Sequence, residues 1–349
     1  MRGVAVVLMV LAHVLDAWTR EADRDRTAFY WTTFLGGLAA PAFLFLAGLG
    51  SALSGASQEA RGVTRADVRA ALVRRGLTIF GLAFAFRLQG FLLGFGSPVD
   101  LLKVDILNVM GPALMLAALL WGAVGGVRGR LVLAAGATLG LAVAAPLVRT
   151  AGWIDWLPVP AQWYLRPTPG HTNFTLLPWA AFVCAGLATG VALTAAREPR
   201  AERRLQLVLA TLAVAGTAVA YWASLQPTLY PPGRSTFWGA SPTFFFVRLG
   251  LVTALLPLCW VVRAVMPARL GWGLASLGAA SLFVYWVHVE LVYGGVAILV
   301  KRRIPFELAL VATGLVSYGM ARLVPWAREW VKTPERKPAQ VRRLVARLL

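Results

Sequence analysis

The sequence predicts an all-α fold: a polytopic integral membrane helix bundle of about ten transmembrane helices with both termini cytoplasmic. Three observations carry that expectation. Of the 349 residues, 58% are hydrophobic and 14% charged, and the mean hydropathy is +0.68, far above an ordinary water-soluble domain. Apolar runs close to the length that crosses a hydrocarbon core, about 20 helical residues, recur along the chain. Lys and Arg fall unevenly on the connecting segments, about two to one in favour of the side that holds both termini. The formal net charge of +19 is accordingly assigned to topology and anionic lipid rather than to nucleic acid. Soluble enzymes and disulfide-stapled secreted modules are excluded as well.

The runs lie near residues 1–18, 29–54, 74–96, 104–122, 130–149, 174–196, 205–225, 243–265, 276–299 and 306–323. The first is short, because Gly3 to Trp18 gives about 24 Å at about 1.5 Å per residue against a core of roughly 30 Å. A start earlier than Met1 is therefore expected. The stretch has no small-residue cleavage pattern and carries His13 and Asp16, so it reads as a working helix rather than a signal peptide. Residues 1–325 form one transmembrane domain in this reading, and 326–349 a basic cytoplasmic tail. Within the tail, AQVRRLVARLL has the pattern of an amphipathic surface helix serving as a lipid anchor. The cationic triplet Lys301, Arg302 and Arg303 is the one segment the topology places against the charge rule.

Ionisable groups at membrane depth are costly and mark function by default. On the first span Arg2 and His13 are eleven residues apart, which leaves them about 20° apart around a helix and about 16 Å apart along it. Asp16, three positions on, is placed to reach the same imidazole from the adjoining turn. A histidine oriented by a carboxylate suits a base or nucleophile; the plainer account is a buried histidine bonded to a backbone carbonyl. Arg87, Asp105 with Asn108, Arg248, His288 and Glu290 fall at comparable depth towards the outer side. Arg87 is expected to pair with Asp105, and a purely structural ion-pair network is the competing account of these charges.

Arg61 to Arg75 carries five arginines, with Arg74 and Arg75 at the mouth of the third span. They are candidates for a phosphate-bearing ligand, although the charge rule explains them without one. Trp153, Trp156, Trp163, Tyr164 and His171 crowd the segment from Thr150 to Asn173, where interfacial anchoring is favoured over sugar stacking. Cys184 and Cys259 stand far apart within apolar runs, so neither a disulfide framework nor a metal site is expected. No Gly-rich nucleotide loop or serine elbow is found.

RGVAVVLMVLAHVLDAW, APAFLFLAGLGSALS, DILNVMG, LLPWAAFVCAGLATG, SPTFFFVRLG and SLFVYWVHVELVYG, in this order, resemble the bacterial relatives of heparan-alpha-glucosaminide N-acetyltransferase. The resemblance covers Arg2 to about Gly295, and the Arg-to-His spacing also resembles that of the broader transmembrane acyltransferases. It implies a polytopic enzyme that takes acetyl from cytosolic acetyl-CoA and delivers it to a sugar amine or hydroxyl at the far face. It further implies residence in the bacterial cytoplasmic (inner) membrane. His13 matches the family's active-site histidine and Arg2 the arginine before it; Asp105 and His288 match recurrent polar positions. The acidic residue usual before that arginine and the large luminal extension of the animal enzyme are absent.

The expectation is an acyl-CoA-dependent acetyltransferase with His13, Asp16, Asp105 and His288 at the chemistry and Arg2, Arg74 and Arg75 on the donor. Its partners are the acyl donor, a sugar or glycan acceptor and membrane lipid, with no metal and no nucleic acid. A proton-coupled transporter would also use buried His, Asp and Glu, but paired inverted repeats or broken helices are not evident. A scaffold has no use for charges at membrane depth.

Overall fold

The computed structural model describes residues 1–92, 97–231 and 239–332, together with 345, 346 and 348. In chain order the helices are α1 (Arg2–Trp18), α2 (Thr27–Gly36), α3 (Ala39–Ala60), α4 (Arg65–Leu92), α5 (Ile106–Ala123), α6 (Val127–Arg149) and α7 (Val159–Gln162). They continue with α8 (Leu176–Ala195), α9 (Pro199–Ser224), α10 (Pro242–Val262), α11 (Ala268–Ala279), α12 (Ser281–Tyr293) and α13 (Phe306–Lys332). Among the described residues no strand forms beyond two isolated bridges, Thr19 with Ile304 and Val104 with Thr172. This suits a bilayer, where a helix satisfies its own backbone groups and an open sheet edge does not.

Within the described residues the predicted runs lie largely on helix, with two refinements. The second run is divided between α2 and α3, and the ninth is broken between α11 and α12 at Ala280, whose φ of −122° and ψ of 35° are not helical. Eight candidate spans among the described residues are long and apolar enough to cross a membrane. Neither α1, at 17 residues, nor the arginine-bearing α4 is among them. The amphipathic stretch 339–349 and the end of the third predicted run, 93–96, lie largely outside the described residues. Large apolar side chains such as Val132, Leu212, Val214 and Leu315 are exposed, as expected of surfaces that face acyl chains rather than water.

The chain divides into two compact units, Met1–Phe43 with Leu258–Leu349, and Leu44–Pro257. In the first, α1 packs against α2, α11, α12 and α13. Val10, Val14, Leu15 and Trp18 recur at the spacing of one helix face and bury against Phe29, Val292, Phe306 and Ala309. Close approach at the start of α1 needs glycine: a Cβ on Gly3 would lie 2.0 Å from the Leu274 carbonyl oxygen.

The far end of α1 is held by polar contacts. Arg24 donates to the carbonyls of Leu15, Asp16 and Thr19, satisfying acceptors that the helix end leaves open. The Arg302 and Ile304 amides donate to Ala17 and Trp18 at 3.0 and 2.9 Å. Asp23, almost fully buried, accepts from Arg20 Nε and from the Phe306 amide that opens α13, each at 2.9 Å. Arg302 pairs with Glu21 at 2.6 Å. The cationic triplet that ran against the charge rule is thus tied to the His13 end of α1 and, at Arg302, compensated there.

In the second unit α4 packs on α5 and α6 on α8. Small residues again allow the approach: a Cβ on Gly48 would stand 1.9 Å from the Val183 carbonyl oxygen, and one on Gly186 1.8 Å from that of Phe45. Without a hydrophobic drive between helices inside lipid, such close packing holds them together. At one end Glu59 accepts from Arg130 at 2.6 and 2.9 Å and from Trp121 Nε1 at 3.0 Å. The Arg130 guanidinium also lies 3.7 Å over the Trp121 ring. Sequence reading singled out neither Glu59 nor this use of Arg130.

Candidate active site

The first unit joins two of the expected histidines. His13 Nδ1 lies 2.8 Å from His288 Nε2, and His288 Nδ1 lies 2.7 Å from the Val284 carbonyl oxygen. The two rings are nearly parallel, 6° apart, with centroids 5.0 Å apart. That separation is what an end-on hydrogen bond leaves between two imidazoles, so the rings meet edge to edge rather than face to face. His288 is fully buried, which the apolar surroundings of α12 explain, while His13 is half-buried.

Hydrogen-bond chemistry sets the tautomers. A carbonyl only accepts, so His288 Nδ1 carries a proton and, in the neutral ring, Nε2 is the acceptor. His13 Nδ1–H then donates to it, which leaves the His13 lone pair on Nε2. A buried histidine bonded to a carbonyl, the plainer account considered for His13, is instead the situation of His288.

Asp16 was expected to orient His13. Its Oδ2 accepts from the Tyr293 hydroxyl at 2.9 Å, and the Tyr293 ring stands edge-on to His13 with centroids 5.5 Å apart. Asp16 and Tyr293 are exposed, so the group runs from a sealed imidazole through a half-buried one to a polar rim. Trp18 Nε1 donates to the Val292 carbonyl at 2.9 Å, which fixes α1 against α12 one turn beyond. Arg2 is exposed at the opposite end of α1.

Asp105, Arg74 and Arg75 belong to the second unit. Asp105 pairs with Arg87 at 2.9 Å, as expected, and Asn108 stands alongside: Asp105 caps α5 by accepting from the Ile106 amide at 2.7 Å, while Asn108 Oδ1 accepts from the Asp105 amide at 3.1 Å. This reciprocal cap satisfies orphan donors at the helix start. The structure therefore gives Asp105 a structural task. Asn108 further donates to Tyr164 at 3.4 Å, and burial pushes the Tyr164 phenol up, against the effect of that bond.

Arg74 and Arg75 are exposed on α4, which begins at Arg65 rather than at their position. Arg65 and Arg69, one turn apart, line a hollow of about 280 Å³ with Ala66 and Gly122. At about 100° per residue Arg74 falls half a turn around the helix from Arg65. Among the described residues no three His, Cys, Asp or Glu side chains are placed to hold a metal ion. In the segment from Thr150 to Asn173, Trp163 and His171 stack with centroids 4.4 Å apart, whereas Trp153 and Trp156 are exposed.

Apolar helices with lipid-type surfaces define an integral membrane protein, and a hydrogen-bonded histidine pair is set among them. Residues 1–227 match the family model described as heparan-alpha-glucosaminide N-acetyltransferase, catalytic; this is more than half of the chain, which therefore belongs to that family of membrane acetyltransferases. No curated protein matches the chain. The family match includes Arg2, His13, Asp16, Arg74, Arg75 and Asp105 but ends before His288 and Tyr293, so their placement beside His13 comes from the tertiary structure.

Proposed function

We propose that the protein transfers acetyl from acetyl-CoA to an amine or hydroxyl of a sugar, with His13 as general base. The observation that carries this reading is the His13–His288 bond, which presents His13 Nε2 as the proton acceptor. The acceptor's nitrogen or oxygen attacks the thioester carbonyl and its proton passes to Nε2. The C–S bond breaks, the new C–N or C–O bond remains, and the Nε2 proton neutralises the departing CoA thiolate. His288 is a positioning residue: its neutral Nε2 takes the His13 Nδ1–H and stabilises the imidazolium while the proton is held. Asp16, with Tyr293, bounds the exposed side where an acceptor enters. Attack by Nε2 itself to give an acetyl-histidine uses the same lone pair.

The donor's phosphates need cations. Arg2 lies about 16 Å from His13 along α1, by helix rise, a distance suited to an extended pantetheine arm. Arg74 and Arg75 are the further candidates for phosphate contact.

The test is purified protein in detergent with acetyl-CoA and a panel of amino and neutral sugars, following release of the CoA thiol. Acceptor-dependent release that His13→Ala abolishes supports the proposal. Folded protein that releases no CoA with any acceptor refutes it. Charge reversal at Arg74 and Arg75 should raise the KM for acetyl-CoA; a fall in kcat alone puts the phosphates elsewhere.

A further inference from the structure

Several buried or partly buried arginines in the second unit are compensated by a carboxylate. Arg87 has Asp105, Arg130 has Glu59 and Arg166 has Asp155. Two depart from this. Arg248, on the second turn of α10, makes neither a hydrogen bond nor an ion pair among the described residues, and its Nε is buried without an acceptor. Its guanidinium lies 4.0 Å from the Phe244 ring and 5.7 Å from that of Trp179, on the first turn of α8.

Arg149, at the end of α6, comes to the same end of α8. Its Nη2 donates to Thr175 Oγ1 at 2.8 Å and to the Leu177 carbonyl at 3.4 Å. Its Nε is likewise buried without an acceptor, and no carboxylate pairs with it among the described residues. Two uncompensated cations thus flank the segment from Thr175 to Trp179. An arginine near a helix end ordinarily reaches for interfacial water. Arg248 instead has its Nε sealed against protein and lies along two rings, while its terminal nitrogens stay accessible. A cation held this way in low dielectric calls for a counter-charge.

We propose that Arg248, with Arg149, forms a binding site for an oxyanion, a carboxylate or phosphate carried by a ligand whose remaining part lies against Trp179. The planar guanidinium matches both groups through paired N–H donors, and the aromatic ring supplies a face for a sugar or a lipid backbone. The site is independent of the acetyl-transfer reading, and its test uses no acetyl-CoA.

Unfolding is followed by tryptophan fluorescence in a neutral maltoside with glucuronate or, as the uncharged control, glucose. It is then followed in nanodiscs of phosphatidylcholine with or without phosphatidylglycerol. The expected result is a saturable rise in Tm with the anionic probe and none with its neutral counterpart. Arg248→Gln should weaken the affinity about 10- to 100-fold, the size of a lost charge-assisted bond, and Arg248→Lys should retain part of it. A response to glucuronate assigns the site to a soluble acid; a response to phosphatidylglycerol alone assigns it to a headgroup. If Arg248→Gln does not fold, Arg149→Gln and Arg248→Lys are held to the same criterion. The proposal is overturned if no anion shifts the wild type, or if wild type and variant shift alike.

Discussion

His13 Nδ1 and His288 Nε2 stand 2.8 Å apart across 275 residues of chain. The second imidazole, anchored on Val284, selects the tautomer of the first. Replacing His13 by Ala should lower acetyl transfer by about 10² to 10⁴, as removal of a general base commonly does. His288→Gln should lower kcat and alter its pH profile with less effect on KM. Asp16→Asn and Tyr293→Phe should cost less than either, since they bound the site without setting the tautomer. Steady-state kinetics of CoA release decide the order, and near-normal turnover by His13→Ala ends the assignment.

Arg87 and Asp105 form a mostly buried pair that also caps α5. Neutralising one partner, as in Asp105→Leu or Arg87→Leu, strands the other charge and should destabilise by about 3 to 5 kcal/mol. The double Leu variant should recover much of the loss, leaving chiefly the cost of the missing cap. Thermal unfolding of the three variants measures this. If the double variant is stable yet inactive, the pair serves chemistry rather than structure.

The glycine contacts give a steric prediction. Gly186→Ala or Gly48→Ala places a methyl against backbone carbonyl oxygen, which cannot rotate away. Either should cost about 1 to 3 kcal/mol, the usual scale of overpacking, and both should leave the first unit's His13 chemistry intact if the variant folds. Gly81→Ala, with nothing within 4 Å of its Cβ position, is the control and should not lower Tm.

Acid should loosen the loops before the spans. The bond from Arg20, then that from the Phe306 amide, holds Asp23 below its ordinary value of 3.8. Lys103 and the Ser97 amide lower Asp100 to about 2. A carboxyl whose folded pKa is depressed contributes stability that is present above its unfolded value and lost as pH falls through the folded one. Protection of the amides around Ser97 in hydrogen exchange should therefore decline between about pH 4 and pH 2, and that of the amides around Phe306 as pH falls below the ordinary Asp value of 3.8. Asp100→Asn should remove the Asp100 share of that decline.

The length and spacing of apolar runs by themselves determined that the chain is helical and membrane-embedded, because a backbone in lipid must satisfy its own hydrogen bonds. Residue depth along a helix is also a local quantity, and it sufficed to pair Arg87 with Asp105 on successive long helices. Rotation about a helix axis is not local when the helix is apolar all round. SLFVYWVHVELVY on α12 offers no polar face from which to judge where His288 points, and Asp16, close in sequence, was the partner that helix geometry offered His13. Only tertiary packing, through the Gly3 contact with α11 and the Trp18 bond to α12, turns His288 onto His13. The same reason hid the Glu59–Arg130 pair and the uncompensated Arg248: whether a charge at a given depth finds a partner depends on which faces neighbouring helices present, and in a bilayer that is settled by close packing of small residues rather than by an apolar stripe.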